Sequence, residues 1–339
     1  MSGSPRDKQG GVHRMKRRTR AAGLALAASL LLGALPQGAW AAQVSSPAQT
    51  PRTETAAPAT QLPEDMPQGW SKEALEAALE NGLLQGYGDN LIHPKDNLTR
   101  AQLAAILARA LGAAGEADVS QYQDVVSGSW YYHYIAKAVK MGLIAGMSAD
   151  TMAPGGLATR EQVFAVLARA LKLEPGSADV LDGFQDGESV SSWAVNAVSA
   201  LVEHGYVHGS DNCLYPQRNI TREEFAKVMH NIFKTYIKDS GTVTQVGDGS
   251  VIVSTPGVTL RDVTIAGDLV LGDGVGEGEI TLDGVTVEGR VLVRGGGLNT
   301  VRFTGGCQAE TVVVGKVDGN VRLLVEDGCG VGTVTVAAG

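Results

Sequence analysis

Three cysteines in 339 residues, at positions 213, 307 and 329, are too few to build a domain on disulfides. The fold must rest on apolar cores. The six histidines are dispersed and show no metal-ligand spacing, so neither a metal nor a cofactor is expected. Basic residues are outnumbered, 28 Lys and Arg against 36 Asp and Glu, for a formal net charge of −8. Residues 1–41 hold seven of those basic side chains and one acid, so the remainder carries −14. That sign excludes the basic footprint that nucleic-acid binding or adhesion to an anionic membrane requires. Long apolar runs are missing too: "AAGLALAASLLLGAL" (21–35) is shorter than the roughly 20 residues that span a bilayer, and Pro36 ends it.

What surrounds that run gives it another meaning. "RMKRRTR" (14–20) precedes it and Ala39-Trp40-Ala41 follows, the order of a secretory signal peptide cleaved after Ala41, residues 1–41 in all. The chain is therefore expected outside the cell and off the membrane after cleavage. Residues 42–63 are rich in Pro, Thr, Ser and Ala without an apolar period, the composition of a solvated linker.

Beyond the linker one pattern occurs three times: "LTRAQLAAILARAL" (98–111), "ATREQVFAVLARAL" (158–171) and "ITREEFAKVMHNIF" (220–233). Each opens with a capping-box pair, Thr99 with Gln102, Thr159 with Gln162 and Thr221 with Glu224, and continues with apolar residues at helical spacing. Upstream landmarks keep step. Trp70, Trp130 and Trp193 each precede a glycine by twelve residues, and Pro94, Pro154 and Pro216 each stand five before the threonine. The unit is helix, Gly/Pro loop, helix, in repeats of about 60 residues that share a core by stacking. Boundaries fall at 64–116, 117–178 and 179–239.

Residues 240–339 change character. They hold 22 of the 44 glycines, with Phe303 as the only aromatic and Pro256 as the only proline. Two apolar stripes, Val258/Ile280/Val301/Leu323 and Leu269/Val291/Val312/Val334, step by 22, 21 and 22 residues. Equal steps in both stripes predict a short parallel β-solenoid of about four coils, with a β-sandwich as the alternative. "GDGVGEGE" (272–279) matches neither phosphate-loop nor EF-hand spacing and is expected to be a coil corner. Cys307 and Cys329 lie one coil apart, a spacing compatible with a disulfide.

Each helical motif puts an arginine, Arg100, Arg160 or Arg222, at the first helical position, where the helix dipole disfavours a cation by about 0.3–1 kcal/mol unless an anion is near. That anion is either an acidic neighbour, with Asp124 and Asp186 the nearest candidates, or an external ligand. The threefold Trp, paired Gly, Pro and "TRxQ/E" pattern behind a signal peptide resembles the S-layer homology (SLH) domain family. The resemblance covers roughly residues 65–237. It implies a multidomain chain in which an all-α pseudo-threefold helical bundle precedes the solenoid. It also implies non-covalent anchoring to acidic, pyruvylated secondary cell-wall polysaccharide, on the cell wall or S-layer surface of a bacterium. By that likeness Arg100, Arg160 and Arg222 would meet the ketal carboxylate; Trp70, Trp130 and Trp193 are either core side chains or groove walls, and Asp124 and Asp186 either pair with the arginines or join them in the binding grooves. The first repeat departs from the pattern, since "PEDMPQGW" (63–70) lacks the aromatic that opens "YQD" and "FQD".

Two classes of function stay open at this stage. In one, the solenoid is a structural or adhesive module, with self-association or other surface proteins as further partners. In the other, it is a polysaccharide-degrading enzyme. The acids of the solenoid, among them Asp262, Asp268, Asp273 and Asp283, are scattered and not paired, and that segment has no histidine. Without a catalytic constellation the chain is expected not to be an enzyme.

Overall fold

A computed structural model describes residues 62–298 and 300–337. The signal peptide read at 1–41 and nearly all of the linker lie outside the described residues. Among the described residues six α-helices occur as three pairs: Lys72–Glu80 (α1) and Arg100–Ala110 (α2), Tyr132–Lys140 (α3) and Arg160–Ala170 (α4), Val195–Glu203 (α5) and Arg222–Ile232 (α6). The first helix of each pair stops before a glycine in the left-handed region, Gly82, Gly142 or Gly205, with φ of 68, 70 and 67°. Other L-residues lose about 1 kcal/mol or more in that conformation. The second helix begins at a complete capping box in all three units, Thr99 with Gln102, Thr159 with Gln162 and Thr221 with Glu224. Packing then runs between units: α2 lies on α3, α4 on α5, and α6 returns to α1. The apolar stripes of α2, α4 and α6, such as Ile106, Val166 and Val228, are buried in one core.

The described residues from 233 onward form twelve strands: Phe233–Ile237 (β1), Gly241–Val243 (β2), Ser250–Val253 (β3), Val258–Arg261 (β4), Thr264–Ile265 (β5), Leu269–Leu271 (β6), Ile280–Asp283 (β7), Thr286–Val293 (β8), Val301–Thr304 (β9), Gln308–Val314 (β10), Leu323–Val325 (β11) and Gly330–Val336 (β12). They make a parallel β-solenoid of about four turns. One sheet runs β1-β3-β6-β8-β10-β12 with β5 beside β8, and the other β11-β9-β7-β4-β2. The registers are those of the two stripes: Val258, Ile280, Val301 and Leu323 align, as do Leu269, Val291, Val312 and Val334. Every ladder is parallel, so the β-sandwich alternative falls away: its hairpins would pair strands antiparallel.

Two sequence expectations need correction. The solenoid starts at Phe233, inside the segment assigned to the third repeat (179–239). After α2 and α4 the chain breaks away through Gly112 and Lys172, with φ of 68 and 47°. After α6 it enters β1 directly, and buried Phe233 simply continues the apolar pattern of the helix. The second correction concerns the cysteines. Cys307 and Cys329 adjoin the Gln308↔Gly330 pair on neighbouring rungs, yet both are free thiols. The buried Cys307 Sγ lies 3.1 Å from Leu282 O and 3.0 Å from Thr304 O, so its one S–H is shared between backbone carbonyls.

The solenoid also docks on the helices. Ile252, Val270, Leu292 and Val313 form one column on the outer face of the first sheet and belong to the helical core. Each such side chain, fully buried, stabilises by roughly 1.5–3 kcal/mol. Helix C-termini point at this face. Gly274 N–H donates to Leu111 O at the end of α2 (2.8 Å), and Arg294 Nη1 donates to Ala170 O at the end of α4 (3.1 Å). The approach leaves no room for a side chain at Gly112, where a Cβ would lie 2.4 Å from Ser254 O. Gly112→Ala is therefore expected to lower stability by about 2 kcal/mol, through both φ and contact. Gly128→Ala, with φ of 87° and open space around it, should cost only about 1 kcal/mol. Equal losses in a urea titration would mean that the contact contributes nothing.

Candidate functional site

The motif arginines are buried, with relative exposures of 3, 7 and 0% for Arg100, Arg160 and Arg222. Each reaches into a loop of another repeat. Arg100 donates from Nε to Met152 O (2.8 Å) and from Nη2 to Ala145 O (2.7 Å). Arg160 donates from Nε to Leu214 O (2.7 Å). Arg222 donates from Nε to Ile92 O (2.9 Å) and from Nη2 to Gln85 O (2.7 Å). First binds second, second binds third, and third binds first. Burial pulls the Arg100 pKa down to about 10 against the opposing pull of Asp124, and it lowers that of Arg160 against Glu224.

The aspartates work on the same loops. Asp124 accepts from the N–H groups of Met152 (2.8 Å) and Ala153 (2.6 Å), and Asp186 from those of Leu214 and Tyr215 (both 2.7 Å). Asp65 does this in the first repeat, accepting from Ile92 and His93 (both 2.7 Å). In each pair the second residue, Ala153, Tyr215 or His93, has φ between 51 and 55°. The carboxylate holds a left-handed turn in place, and the turn presents a carbonyl to the arginine of the neighbouring repeat. Asp65 escaped the sequence reading because the Asp-to-Trp spacing differs in each repeat and no aromatic residue precedes it.

Nor do the helix N-termini keep amides for an anion. In α2 the Thr99 N–H donates to Gln102 Oε1 and the Gln102 N–H to Thr99 Oγ1, while Arg100 N–H donates to Gly156 O and Ala101 N–H to Pro154 O. In α4 the Thr159 N–H donates to Gln162 Oε1 (3.0 Å) and the Gln162 N–H to Thr159 Oγ1 (3.4 Å), with Arg160 and Glu161 donating to the carbonyls of Arg218 and Pro216. Helix α6 repeats this through Thr221 and Glu224, with the carbonyls of Asp96 and Pro94. All four donors that a helix start normally leaves over are satisfied. The three capping partners, alike in the sequence, also part company in their surroundings: Gln102 and Gln162 are buried, whereas Glu224 is partly open to solvent. Between the repeats a backbone circuit closes: Leu98 N–H to Ile220 O, Ile220 N–H to Ala158 O, and Ala158 N–H to Leu98 O, at 2.9–3.0 Å.

An open site lies elsewhere. A groove of about 670 Å³ runs along α6, with Trp70 of the first repeat, Arg160 of the second, and Tyr206, Arg218, Glu224 and Lys227 of the third among its walls. Trp70 is 56% exposed, whereas Trp130 and Trp193 are half-buried against the core. Glu224 Oε2 caps Thr221 N–H (2.9 Å), and Oε1 pairs with Arg218 and lies 3.5 Å from Arg160 Nη1. Burial alone would raise the Glu224 pKa, but the Thr221 amide and the two guanidinium groups outweigh it and hold it below the usual carboxylate value. Three cations face one acid here, in a chain of net negative charge.

Fold and site together define a module in which three interlocked helical repeats carry a parallel β-solenoid. Residues 64–104, 121–164 and 183–226 match the S-layer homology domain, and the chain carries three SLH repeats. SLH domains anchor surface proteins to the cell wall, and this places the chain among secreted proteins held at the wall surface. It is similar to the "Surface-layer 125 kDa protein" of Lysinibacillus sphaericus, 33% identical over 201 residues, 58% of this chain and 16% of that protein. An "Amylopullulanase" of Thermoanaerobacterium thermosulfurigenes is 30% identical over 174 residues, covering 50% of this chain and 9% of the relative. A "Cellulosome-anchoring protein" of Acetivibrio thermocellus is 32% identical over 150 residues, 42% of this chain and 33% of the relative. The chain thus spans no more than a third of the length of these three relatives.

Proposed function

We propose that this chain is an exported, non-covalent anchor. Its three SLH repeats close as a pseudo-threefold bundle, grip an acidic secondary cell-wall polysaccharide bearing pyruvate ketals, and hold the solenoid as a structural or adhesive module. Catalysis has no part in this reading. The cyclic backbone circuit and the cyclic arginine contacts support the bundle. The observation that carries the function is the α6 groove, where an exposed Trp70 faces a cluster of cations. An indole offers an apolar face to a sugar ring, and guanidinium groups suit carboxylates. Of the motif arginines, Arg160 lines this groove and keeps a place in the site. The test is co-sedimentation of the full chain with purified wall polysaccharide, native or stripped of its ketals by mild acid. Binding is expected to the native polymer alone, and Trp70→Ala should weaken it roughly tenfold. Equal binding to both polymers would remove the acidic ligand.

A further inference from the structure

The three repeats are alike in backbone but not in charge. Arg218 stands four residues before its motif arginine, and the same position holds Asp96 in the first repeat and Gly156 in the second. Lys227 stands five residues after, where the others have Ala105 and Ala165. The arginines that accompany the other two units, Arg109 and Arg169, turn inward. Arg109 lies over the Tyr134 ring (4.8 Å) and donates to Leu83 O (3.0 Å), and Arg169 donates to Leu143 O (2.6 Å). The Arg218 side chain, by contrast, is 48% exposed. Its guanidinium stacks 5.1 Å from the Tyr215 ring centre and is paired on one edge with Glu224, so its fork is oriented at the groove before any ligand arrives. Lys227 follows one turn beyond Glu224 on α6.

Resting on the anchoring reading, we infer that the chain has one anionic-sugar site and not three, and that Arg218 and Lys227 read the ligand's carboxylate. The three motif arginines act as latches between repeats. In this arrangement Arg218 gives the carboxylate a planar two-donor edge, Lys227 adds a point charge, and Trp70 carries the sugar ring. Because Trp70 belongs to the first repeat and both cations to the third, the site exists only when the ends of the repeat array meet.

Calorimetric titration of the full chain tests this, with a methyl hexoside carrying a 4,6-pyruvate ketal and its neutral methyl ester as probes. One site per chain is expected. Arg218→Gln and Lys227→Gln should each weaken binding about tenfold while leaving the thermal midpoint unchanged, and the ester should bind no better than those variants bind the acid. Two or three equivalent sites, or variants that bind as the wild type does, overturn the inference. So does a wild-type chain that takes the native polymer but not the ketal hexoside. On the native polymer, unchanged co-sedimentation of the Arg218→Gln/Lys227→Gln double variant overturns this assignment alone. Absence of binding by the wild-type chain overturns the anchoring reading with it.

Discussion

Arg222→Ala is expected to destabilise the protein by about 3 kcal/mol, because it strips donors from one buried and one partly buried carbonyl at once. Ile92 O and Gln85 O would lose their guanidinium partner, and the space below the Tyr87 ring, 4.9 Å from the Arg222 carbon, would empty. The effect reaches beyond one loop. The Arg222 guanidinium is one of the contacts by which the third repeat returns to the first, so its removal opens the cyclic set of side-chain contacts that Arg100 and Arg160 complete. Urea unfolding followed by circular dichroism measures the loss, with Arg218→Ala as the comparison. Arg218 is half-exposed, and its ion pair should contribute no more than about 1 kcal/mol. Similar losses for the two variants would show that burial does not separate a latch from a reader.

Arg294→Ala should have a comparable effect, about 3–5 kcal/mol, at the joint between helices and solenoid. The Arg294 side chain has no exposure and meets Asp273 from Nε (2.7 Å) and Nη2 (3.3 Å). It also donates to Ala170 O, the last residue of α4, where the helix dipole favours a cation. Truncation leaves a partly buried carboxylate unpaired and a helix end unsatisfied. Because Leu292 and Val270 beside it belong to the core shared with the helices, the joint should loosen as a whole. Limited proteolysis is expected to release the solenoid from the bundle in this variant and not in the wild type. A variant as resistant as the wild type would show that the apolar column alone holds the joint.

Local periodicity made much of the architecture legible. The capping boxes, Gln102 and Gln162 included, needed only the Thr-x-x-Gln/Glu spacing, and the solenoid ladders needed only the steps of 22, 21 and 22. The docked face was written in the sequence as well, in the unbroken runs "VIV" (251–253), "LVL" (269–271), "VLV" (291–293) and "VVV" (312–314). Strands apolar on both faces are covered on both faces. Taking only alternate residues as the core stripe left the second set without a role. The groove was harder to see. Its distinguishing residues, Arg218 and Lys227, are those that do not recur, and aligning three repeats to find what they share discards them. The arginine contacts were hidden for another reason: a carbonyl partner leaves no mark in the sequence, because every residue has one.

Repeat length, helix starts and strand register depend on neighbours a few residues apart or on one recurring step, and the amino-acid order determined them alone. Tertiary structure decided which partner each buried charge took. That choice depends on which loop of which repeat comes within about 3 Å of a guanidinium, and on whether water is shut out there, so only the closed chain could make it.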